Sequence, residues 1–263
     1  MNPRGARISV CLPARDEAAT IATIVREVLR VAIVDEVVVL DDGSTDDTAA
    51  VAGGAGARVV SEASVLPEAG PGSGKGNAMW KSLFACEGDV VCWVDADLRN
   101  FRGEYVERLC APLLADADTM FVKAYYTRSF EGAPTGGGRV TELVARPLLS
   151  LLFPKLADIV QPLGGEYAAR RTALEVLPFV EGWGVELALL VDVVERFGRD
   201  AVAQVDLDVR KHRNRPLDEL APQARAIIAT ALKRAELADP VEVRERPPLV
   251  SVPAYRARHD RLR

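Results

Sequence analysis

Val90-Val91-Cys92-Trp93-Val94 is followed at once by Asp95-Ala96-Asp97. The apolar run predicts a buried strand, and alternate residues of an extended segment share a face, so we expect Asp95 and Asp97 to point the same way. Carboxylate oxygens are hard ligands that suit a divalent cation on diphosphate oxygens. Aspartate is also common at strand ends and helix N-caps, so the segment by itself is compatible with a structural role.

The composition is that of an ordinary globular protein. The chain has 263 residues, of which 49% are hydrophobic, enough to fill the core of a large α/β domain. A net charge of −5 disfavours a surface built for nucleic-acid phosphates. No apolar run approaches the ~20 residues that span a bilayer, and the N-terminus lacks the apolar core of a signal peptide. We therefore expect a cytoplasmic protein that binds neither nucleic acid nor membrane.

The four cysteines, Cys11, Cys86, Cys92 and Cys110, form no Cys-x-x-Cys pair. Cys11 and Cys92 lie in apolar, strand-like runs, where a small thiol packs well. We expect all four to be reduced and structural.

Strands and helices alternate through the first half of the chain. Alternation of this kind predicts a parallel sheet with helices on both faces. Between the third strand and the next helix, the run from Pro67 to Gly76 is rich in Gly and Pro, and it predicts a mobile functional loop without regular structure. The predicted strands are 8–12, 36–40, 57–61 and 90–94, and the predicted helices are 21–29, 45–52 and 77–86.

The second half is less regular. The last two dozen residues contain four prolines and no periodicity, which predicts an arm or tail. We therefore divide the chain into a first half over 1–126, a second half of the same domain over 127–238, and a tail over 239–263. Beyond residue 97, the predicted helices are 105–115, 136–146 (opened by Gly136-Gly137-Gly138), 185–197 and 217–234. The predicted strands there are 119–126, 166–169 and 202–207.

Polar residues follow three of the predicted strands, at 13–17, 41–44 and 95–97. Ligands of open parallel sheets bind outside the carboxyl ends of the strands, where the strand order reverses. A dinucleotide fold would need Gly-x-Gly-x-x-Gly after the first strand, and that turn contains no glycine. The run from Gly70 to Lys75 approaches a phosphate-binding P-loop, but Gly76 replaces the required Ser or Thr. A nucleotide-sugar site is the remaining fit, although Asp41-Asp42-Gly43-Ser44 alone is also typical of a turn.

At these motifs the chain resembles the GT-A glycosyltransferases, in which Asp-x-Asp holds a divalent metal on the donor diphosphate. More narrowly, it resembles the retaining glucosyl-3-phosphoglycerate synthases, with mannosyl-3-phosphoglycerate synthases as close relatives. The likeness covers residues 8–232. It rests on Leu40-Asp41-x-Gly43-Ser44-Thr45-Asp46-Asp47-Thr48, Pro71-Gly72-x-Gly74-Lys75-Gly76, Gly136-Gly137-Gly138-Arg139-Val140-Thr141-Glu142, Gln161-Pro162-Leu163-x-Gly165-Glu166-Tyr167 and His212-Arg213-Asn214-Arg215-Pro216.

The resemblance implies a GT-A fold, that is, a Rossmann-like, mostly parallel sheet flanked by helices with a less regular, acceptor-binding C-terminal half. Residues 1–126 would form the nucleotide-sugar (donor) half and residues 127–238 the acceptor half of the same domain. It implies a metal-dependent, retaining transfer of glucose from UDP-glucose to the 2-hydroxyl of 3-phosphoglycerate by a homodimer. GDP-mannose is the alternative donor. A sugar-nucleotide nucleotidyltransferase and a non-catalytic sugar-nucleotide sensor are more distant alternatives.

The resemblance also assigns the site residues. Mg²⁺ or Mn²⁺ would be held by Asp97 and His212, and the catalytic residues would be Asp97, Glu186 and Lys75. The acceptor would be held by Gly138, Arg139, Thr141 and Asn214. The donor would be bound by Pro13, Ala14, Arg15, Glu17, Asp42, Lys75, Asp95, Ala96, Leu163, Trp183 and Glu186.

From the residues alone, each of the less specific assignments also has a structural interpretation that involves no ligand. His212 also fits a surface histidine in a basic turn, Glu186 a helix N-terminal acid that complements the dipole, and the glycine run a flexible turn. Relatives often have Ser where this chain has Ala96 and Asp42. The loss of a hydroxyl and the gain of a carboxylate could alter nucleotide preference by ~1 to 2 kcal/mol per contact.

Overall fold

A computed structural model describes residues 5–130, 133–210 and 217–259 of the chain. The strands within these ranges are β1 Ile8–Ala14, β2 Glu36–Asp41, β3 Arg58–Ser61, β4 Val90–Trp93, β5 Phe121–Phe130, β6 Ala133–Gly136, β7 Tyr167–Arg170, β8 Phe179–Val180, β9 Val202–Arg210 and β10 Glu245–Arg246. The α-helices are α1 Ile21–Leu29, α2 Thr48–Gly54, α3 Gly74–Ala85, α4 Glu104–Ala115, α5 Arg146–Leu152 (entered through a π-helical turn, Thr141–Ala145), α6 Arg171–Leu174, α7 Val185–Phe197, α8 Leu217–Arg234 and α9 Pro253–His259.

The central sheet has the strand order β3-β2-β1-β4-β7-β5-β6, and β9 pairs with β5. Strands β3, β2, β1 and β4 are parallel, as is the β5–β9 pair, whereas β7 runs antiparallel to both of its neighbours. The order reverses beside β1, because the chain passes from β1 outward to β3 and then returns to place β4 on the other side. The prediction of a mostly parallel α/β sheet flanked by helices is confirmed.

The strand side chains alternate between two hydrophobic cores, one on each face of the sheet. In β1, Cys11 faces the larger core while Val10 and Leu12 face the other. Helix α1 covers the second core with Ile21, Ile24, Val25 and Val28, a spacing that puts all four on one face. Burying each of these side chains contributes ~1.5 to 3 kcal/mol. Helices α3, α7, α8 and α9 cover the larger core.

All four cysteines are buried and free, which agrees with the expectation of reduced, structural thiols. Within the described ranges, no helix combines the length and apolar character needed to cross a membrane.

Two helices in the first half begin three residues away from their predicted starts. Helix α2 begins at Thr48 rather than Thr45, because the N–H groups of Thr45 and Asp46 donate to the carboxylate of Asp16. Helix α3 begins at Gly74 rather than Asn77, so the end of the expected irregular loop is helical. Glycine has a low intrinsic helix propensity, but close packing against Gly182 and Val180 requires glycine at residues 74 and 76.

The prediction of an extended tail is also wrong for the described residues 239–259, which pack against the rest of the protein. Strand β10 pairs with β8, Arg246 is 5% exposed and Tyr255 is 2% exposed. Tyr255 belongs to the larger hydrophobic core. The prolines that removed periodicity from this segment interrupt its helices and strands without preventing it from packing.

Candidate active site

A cavity of about 370 Å³ lies at the carboxyl ends of β1, β2 and β4. Its position beside β1 is the point where the strand order reverses, as predicted for ligand sites in such sheets. Most of the predicted donor-binding residues meet there. The cavity is lined by Pro13, Ala14, Arg15, Glu17, Asp42, Gly74, Lys75, Ala78, Asp95, Ala96, Asp97 and Trp183.

The loops that follow β1 and β2 are bonded to each other. Asp16 has a left-handed backbone, with φ of 57°, and its Oδ1 accepts hydrogen bonds from Thr45 N–H at 2.7 Å and Asp46 N–H at 3.3 Å. Glu17 N–H donates to Thr48 Oγ1 at 2.7 Å. These bonds fix the floor of the cavity, and they lower the pKa of Asp16, with the Thr45 N–H as the main cause.

Lys75 is held between two carboxylates. Its Nζ lies 2.6 Å from Oδ1 of Asp95 and 2.8 Å from Oε1 of Glu186. Burial alone would lower the pKa of Lys75, but the charges of Asp95 and Glu186 outweigh it and raise that pKa well above its usual value. Lys75 is therefore a fixed positive charge at the wall of the cavity.

The glycines around Lys75 allow backbones to approach one another. A Cβ at Gly74 would lie 2.9 Å from Cα of Gly182, and one at Gly76 would lie 1.8 Å from the carbonyl oxygen of Val180. Across the cavity, a Cβ at Gly165 would lie 2.0 Å from Oδ2 of Asp95. The glycine-rich run therefore packs the start of α3 against the Gly182–Gly184 turn, which carries Trp183.

Carboxylates gather at the Asp97 end of the cavity. Burial, followed by the charges of Asp97, Asp46 and Asp95, raises the pKa of Glu17. Such a concentration of negative charge and hard oxygen donors fits a divalent cation. Among the described residues, no three His, Cys, Asp or Glu side chains converge as a complete metal cage. Asp97 is the predicted metal ligand among these carboxylates. His212, its predicted companion, lies outside the described residues.

Arg15 and Asp42, both predicted to bind the nucleoside, line the same cavity. Burial and the nearby charge of Glu62 raise the pKa of Asp42, while the guanidinium of Arg15 opposes that rise. Asp42 is thus a half-buried carboxylate at the wall of the cavity.

Two predicted donor residues do not line the cavity directly. Glu186 is 5% exposed and reaches the site through its ion pair with Lys75. Leu163 packs against the larger core in the turn before Gly165. The resemblance had implied direct contact for both.

Three of the predicted acceptor residues lie together at the start of one helix. Gly138 has φ of 75°, Arg139 follows it as the first helical residue, and the side chain of Thr141 is 1% exposed. They do not line the donor cavity. Asn214, the fourth, lies outside the described residues.

Sequence reasoning missed several residues of the site. Gly74 and Ala78 line the cavity from one face of α3, and their spacing of four residues could have indicated this once the helix start was known. Outside the cavity lining, it also missed Lys123, which is fully buried, donates from Nζ to the Gly164 carbonyl at 2.5 Å and interacts electrostatically with Glu186 and Lys75. Nothing local in the sequence distinguishes Lys123 from a surface lysine.

Comparisons with known proteins identify the family of the chain. The model of Glycosyl transferase family 2 matches residues 9–175. Glucosyl-3-phosphoglycerate synthase of Mycolicibacterium paratuberculosis is 51% identical over 244 residues, which cover 89% of this chain and 74% of that protein.

Two solved structures of glucosyl-3-phosphoglycerate synthase from Mycobacterium tuberculosis are similar in fold. One, in complex with Mn²⁺, UDP-glucose and phosphoglyceric acid, has a TM-score of 0.88 at 46% identity and covers 94% of this chain and 91% of its own. The other, in complex with Mn²⁺, UDP and glucosyl-3-phosphoglycerate, has a TM-score of 0.88 at 46% identity and covers 94% of this chain and 92% of its own. With the family match extending over more than half of its length, the chain belongs to glycosyl transferase family 2.

Proposed function

We propose that this protein is a metal-dependent glucosyltransferase that moves glucose from UDP-glucose to the 2-hydroxyl of 3-phosphoglycerate and releases UDP. The observation that carries the proposal is the Lys75–Asp95–Glu186 cluster at the wall of a cavity that also contains Asp97. The similar structures from Mycobacterium tuberculosis, which hold UDP-glucose with phosphoglyceric acid and UDP with the glucosylated product, support it.

The cluster suits a sugar donor. Asp95 and Glu186 offer carboxylate oxygens as hydrogen-bond acceptors for hexose hydroxyls, and Lys75 holds both carboxylates in place. Trp183, 39% exposed at the same cavity, offers an apolar face to the sugar ring. The pocket is therefore built before the substrate arrives, which reduces the cost of ordering it on binding.

The leaving diphosphate requires positive charge. Mg²⁺ or Mn²⁺, held by Asp97 and His212, would supply it as a Lewis acid. Lys75 adds a fixed cation at the cavity wall, and Arg15 adds a second one at the nucleoside end. Charge placed in advance where charge develops is the largest single contribution in many enzymes.

We propose that transfer retains the anomeric configuration by attack on the same face as the leaving group. Glu186 is the carboxylate closest to Lys75 after Asp95, and its 2.8 Å ion pair makes it a weak nucleophile. The departing phosphate oxygen would then take the proton of the acceptor hydroxyl as the new C–O bond forms. Trapping of a glucosyl-enzyme adduct on Glu186 or another carboxylate would reject this mechanism.

The acceptor binds, in this proposal, at the helix that begins with Arg139. The N–H groups of a helix start and its dipole attract anions, and the Arg139 guanidinium suits a phosphate or carboxylate. Gly138, Thr141 and Asn214 complete the set. An acidic protein can thus bind an acidic acceptor through one local basic site.

GDP-mannose remains the second donor to test, because of Asp42. Its half-buried carboxylate can accept a hydrogen bond from uracil N3–H, and it can equally accept two from the N1–H and N2–H of guanine. The proposal favours UDP-glucose because the similar structures hold it.

The deciding experiment incubates the protein with UDP-glucose, GDP-mannose or ADP-glucose, each with 3-phosphoglycerate, and with either Mg²⁺ or EDTA. Of the three donors, we expect only UDP-glucose to give nucleoside diphosphate release in the presence of 3-phosphoglycerate. EDTA and Asp97→Ala should abolish this activity. Asp118→Ala, which changes an exposed aspartate, should retain it. Pyrophosphate release from a nucleoside triphosphate would identify a nucleotidyltransferase. Donor binding without turnover would identify a sensor. The anomeric proton of the product, observed by NMR, tests retention.

We further propose a cytoplasmic homodimer. Four free, buried thiols support a reducing compartment. The dimer rests on the family resemblance, and light scattering coupled to size-exclusion chromatography measures it directly.

A further inference from the structure

Arg246 is a buried cation contributed by the C-terminal segment to the wall behind the donor cavity. It is 5% exposed. Its Nε donates to Asn77 Oδ1 at 2.8 Å, Nη1 to the Ala69 carbonyl at 2.7 Å and Nη2 to the Gly70 carbonyl at 3.0 Å. The guanidinium carbon lies 5.4 Å from the ring centroid of Trp80. One side chain thus joins the chain before α3 to the body of that helix.

Arg246 also binds the element on the other side of the cavity wall. Its Nε lies 3.2 Å from Oε1 of Glu181, and both side chains are less than 10% exposed. Strand β10 pairs with β8, and Glu181 N–H donates to the Arg244 carbonyl at 2.9 Å. Glu181 immediately precedes the Gly182–Gly184 turn that carries Trp183. The same guanidinium therefore contacts both segments that flank Lys75.

The shape of the glycine-rich run depends on this guanidinium. A Cβ at Gly72 would lie 2.1 Å from Nη2 of Arg246 and 2.1 Å from Oδ1 of Asn77. Residue 72 must therefore lack a side chain for Arg246 to remain in place. The Pro71-Gly72 step of the motif is explained by the C-terminal segment and needs no ligand contact.

We propose that Arg246 is a positioning residue for the donor site. From outside the cavity, it holds the run before Lys75 against the turn that carries Trp183, and so sets the affinity for the sugar nucleotide. This inference rests on the proposed function only for the identity of the donor. A guanidinium is required because one planar group meets two carbonyls, an amide and a carboxylate in different directions, which a lysine ammonium cannot do.

The test compares Arg246→Ala and Arg246→Lys with Arg244→Ala, which removes an exposed arginine two residues away whose nitrogen is 3.9 Å from Glu181. Steady-state kinetics are measured with each substrate varied in turn. Arg246→Ala is expected to raise the KM for UDP-glucose about 10-fold or more, since a shift of ~1 Å in a binding group can cost ~100-fold. The KM for 3-phosphoglycerate should stay near that of the wild type. Arg246→Lys should be nearly as impaired, and Arg244→Ala should match the wild type.

Chemical rescue separates positioning from general destabilisation. Guanidinium chloride at millimolar concentration should lower the raised KM for UDP-glucose in Arg246→Ala and leave the wild type unchanged. A merely structural role would lower the active fraction, and with it kcat, while leaving both KM values alone. That result, or an equal rise in both KM values, would overturn the proposal.

Two further measurements apply if Arg246→Ala does not fold or if the wild type is inactive. If Arg246→Ala does not fold, Gly72→Ala serves in its place, because its methyl group displaces the guanidinium while retaining the charge. If the wild type proves to transfer no glucose, calorimetric titration with UDP-glucose and GDP-mannose replaces kinetics. The positioning role then predicts weaker binding of whichever nucleotide the wild type binds, and equal affinity in wild type and Arg246→Lys would refute it.

Discussion

Gly76 lies so close to Val180 that a Cβ at residue 76 would be 1.8 Å from the Val180 carbonyl oxygen. The first turn of α3 and the end of β8 therefore meet backbone against backbone. Lys75 is fixed at this contact, with Nζ 2.6 Å from Asp95 and 2.8 Å from Glu186. The glycines of the motif create the position from which one lysine can reach two carboxylates.

Gly76→Ala is accordingly expected to destabilise the protein. The added methyl cannot fit without moving α3 from β8, and overpacking of this kind costs about 3 kcal/mol in the free energy of unfolding. Urea denaturation measures it. The control is Gly54→Ala in α2, where a Cβ meets nothing within 4 Å. Alanine is the better helix former there, and we expect a gain of ~0.5 to 1 kcal/mol. If Gly76→Ala were as stable as the wild type, the close approach would be wrong.

Lys75→Met is expected to reduce kcat/KM for UDP-glucose by about 100- to 1000-fold. The substitution removes the fixed cation and leaves Asp95 and Glu186 to repel each other at the sugar subsite. Initial rates are measured beside the circular dichroism spectrum of the variant. Lys155→Met, at an exposed lysine outside the cavity, should behave as the wild type. A well-folded Lys75→Met with normal turnover would remove Lys75 from the machinery.

Arg139→Ala should mainly raise the KM for 3-phosphoglycerate. Loss of one charge-assisted hydrogen bond costs ~1.5 to 3 kcal/mol, which corresponds to about a 10- to 100-fold change. Arg146→Ala is the matched control. Arg146 lies seven residues along the same helical stretch, and its side chain is exposed and pairs with Glu142 at 3.0 Å. Unchanged acceptor kinetics in Arg139→Ala would show that the acceptor binds elsewhere.

The stability of the protein should depend on Lys123 and on pH. Burial lowers the pKa of Lys123 from 10.5 to about 7, with a further lowering from Lys75 and opposing effects of Glu186 and Glu166. Because the folded-state pKa lies below the unfolded-state value, the unfolded chain binds more protons between these two pH values. The contribution of Lys123 to the free energy of unfolding therefore rises with pH across that window. Below the window Lys123 is protonated in both states, and the full cost of burying its charge destabilises the fold.

Denaturation of wild type and Lys123→Met at several pH values measures this contribution. From pH 7 to 10, the stability of the wild type should increase relative to that of Lys123→Met. Lys155→Met, which alters an exposed side chain, should follow the wild type at every pH. A difference between wild type and Lys123→Met that does not vary with pH would mean that Lys123 stays charged throughout.

Local pattern was sufficient for the elements that contact the core along one face. The spacing of Ile21, Ile24, Val25 and Val28 predicted α1 with its observed bounds, and α7 and α8 were also predicted with theirs. The polar ends of β1, β2 and β4 were predicted to meet because parallel strands share an edge, and they line one cavity. The specific motifs then indicated which family uses such a site.

Pattern failed where a distant group decides the local structure. The start of α2 depends on Asp16, about 30 residues earlier. The first turn of α3 requires glycine at residues 74 and 76 because Gly182 and Val180, which are distant in the sequence, lie against it. The packing of the C-terminal segment depends on a β8–β10 pair and on Arg246, whose hydrogen-bond partners Asn77, Ala69 and Gly70 lie more than 160 residues away in the sequence.

Periodicity and strand ends in the sequence alone therefore determined the class of fold, the edge of the sheet that carries the cavity, and several of the side chains that line it. Only the tertiary structure decided that Lys75 joins Asp95 to Glu186 and that Arg246 holds the wall behind them. The physical reason is that hydrophobic spacing reports which face of an element is buried. The partners of a buried charge are chosen by how separate elements pack, and that information is spread over the whole chain.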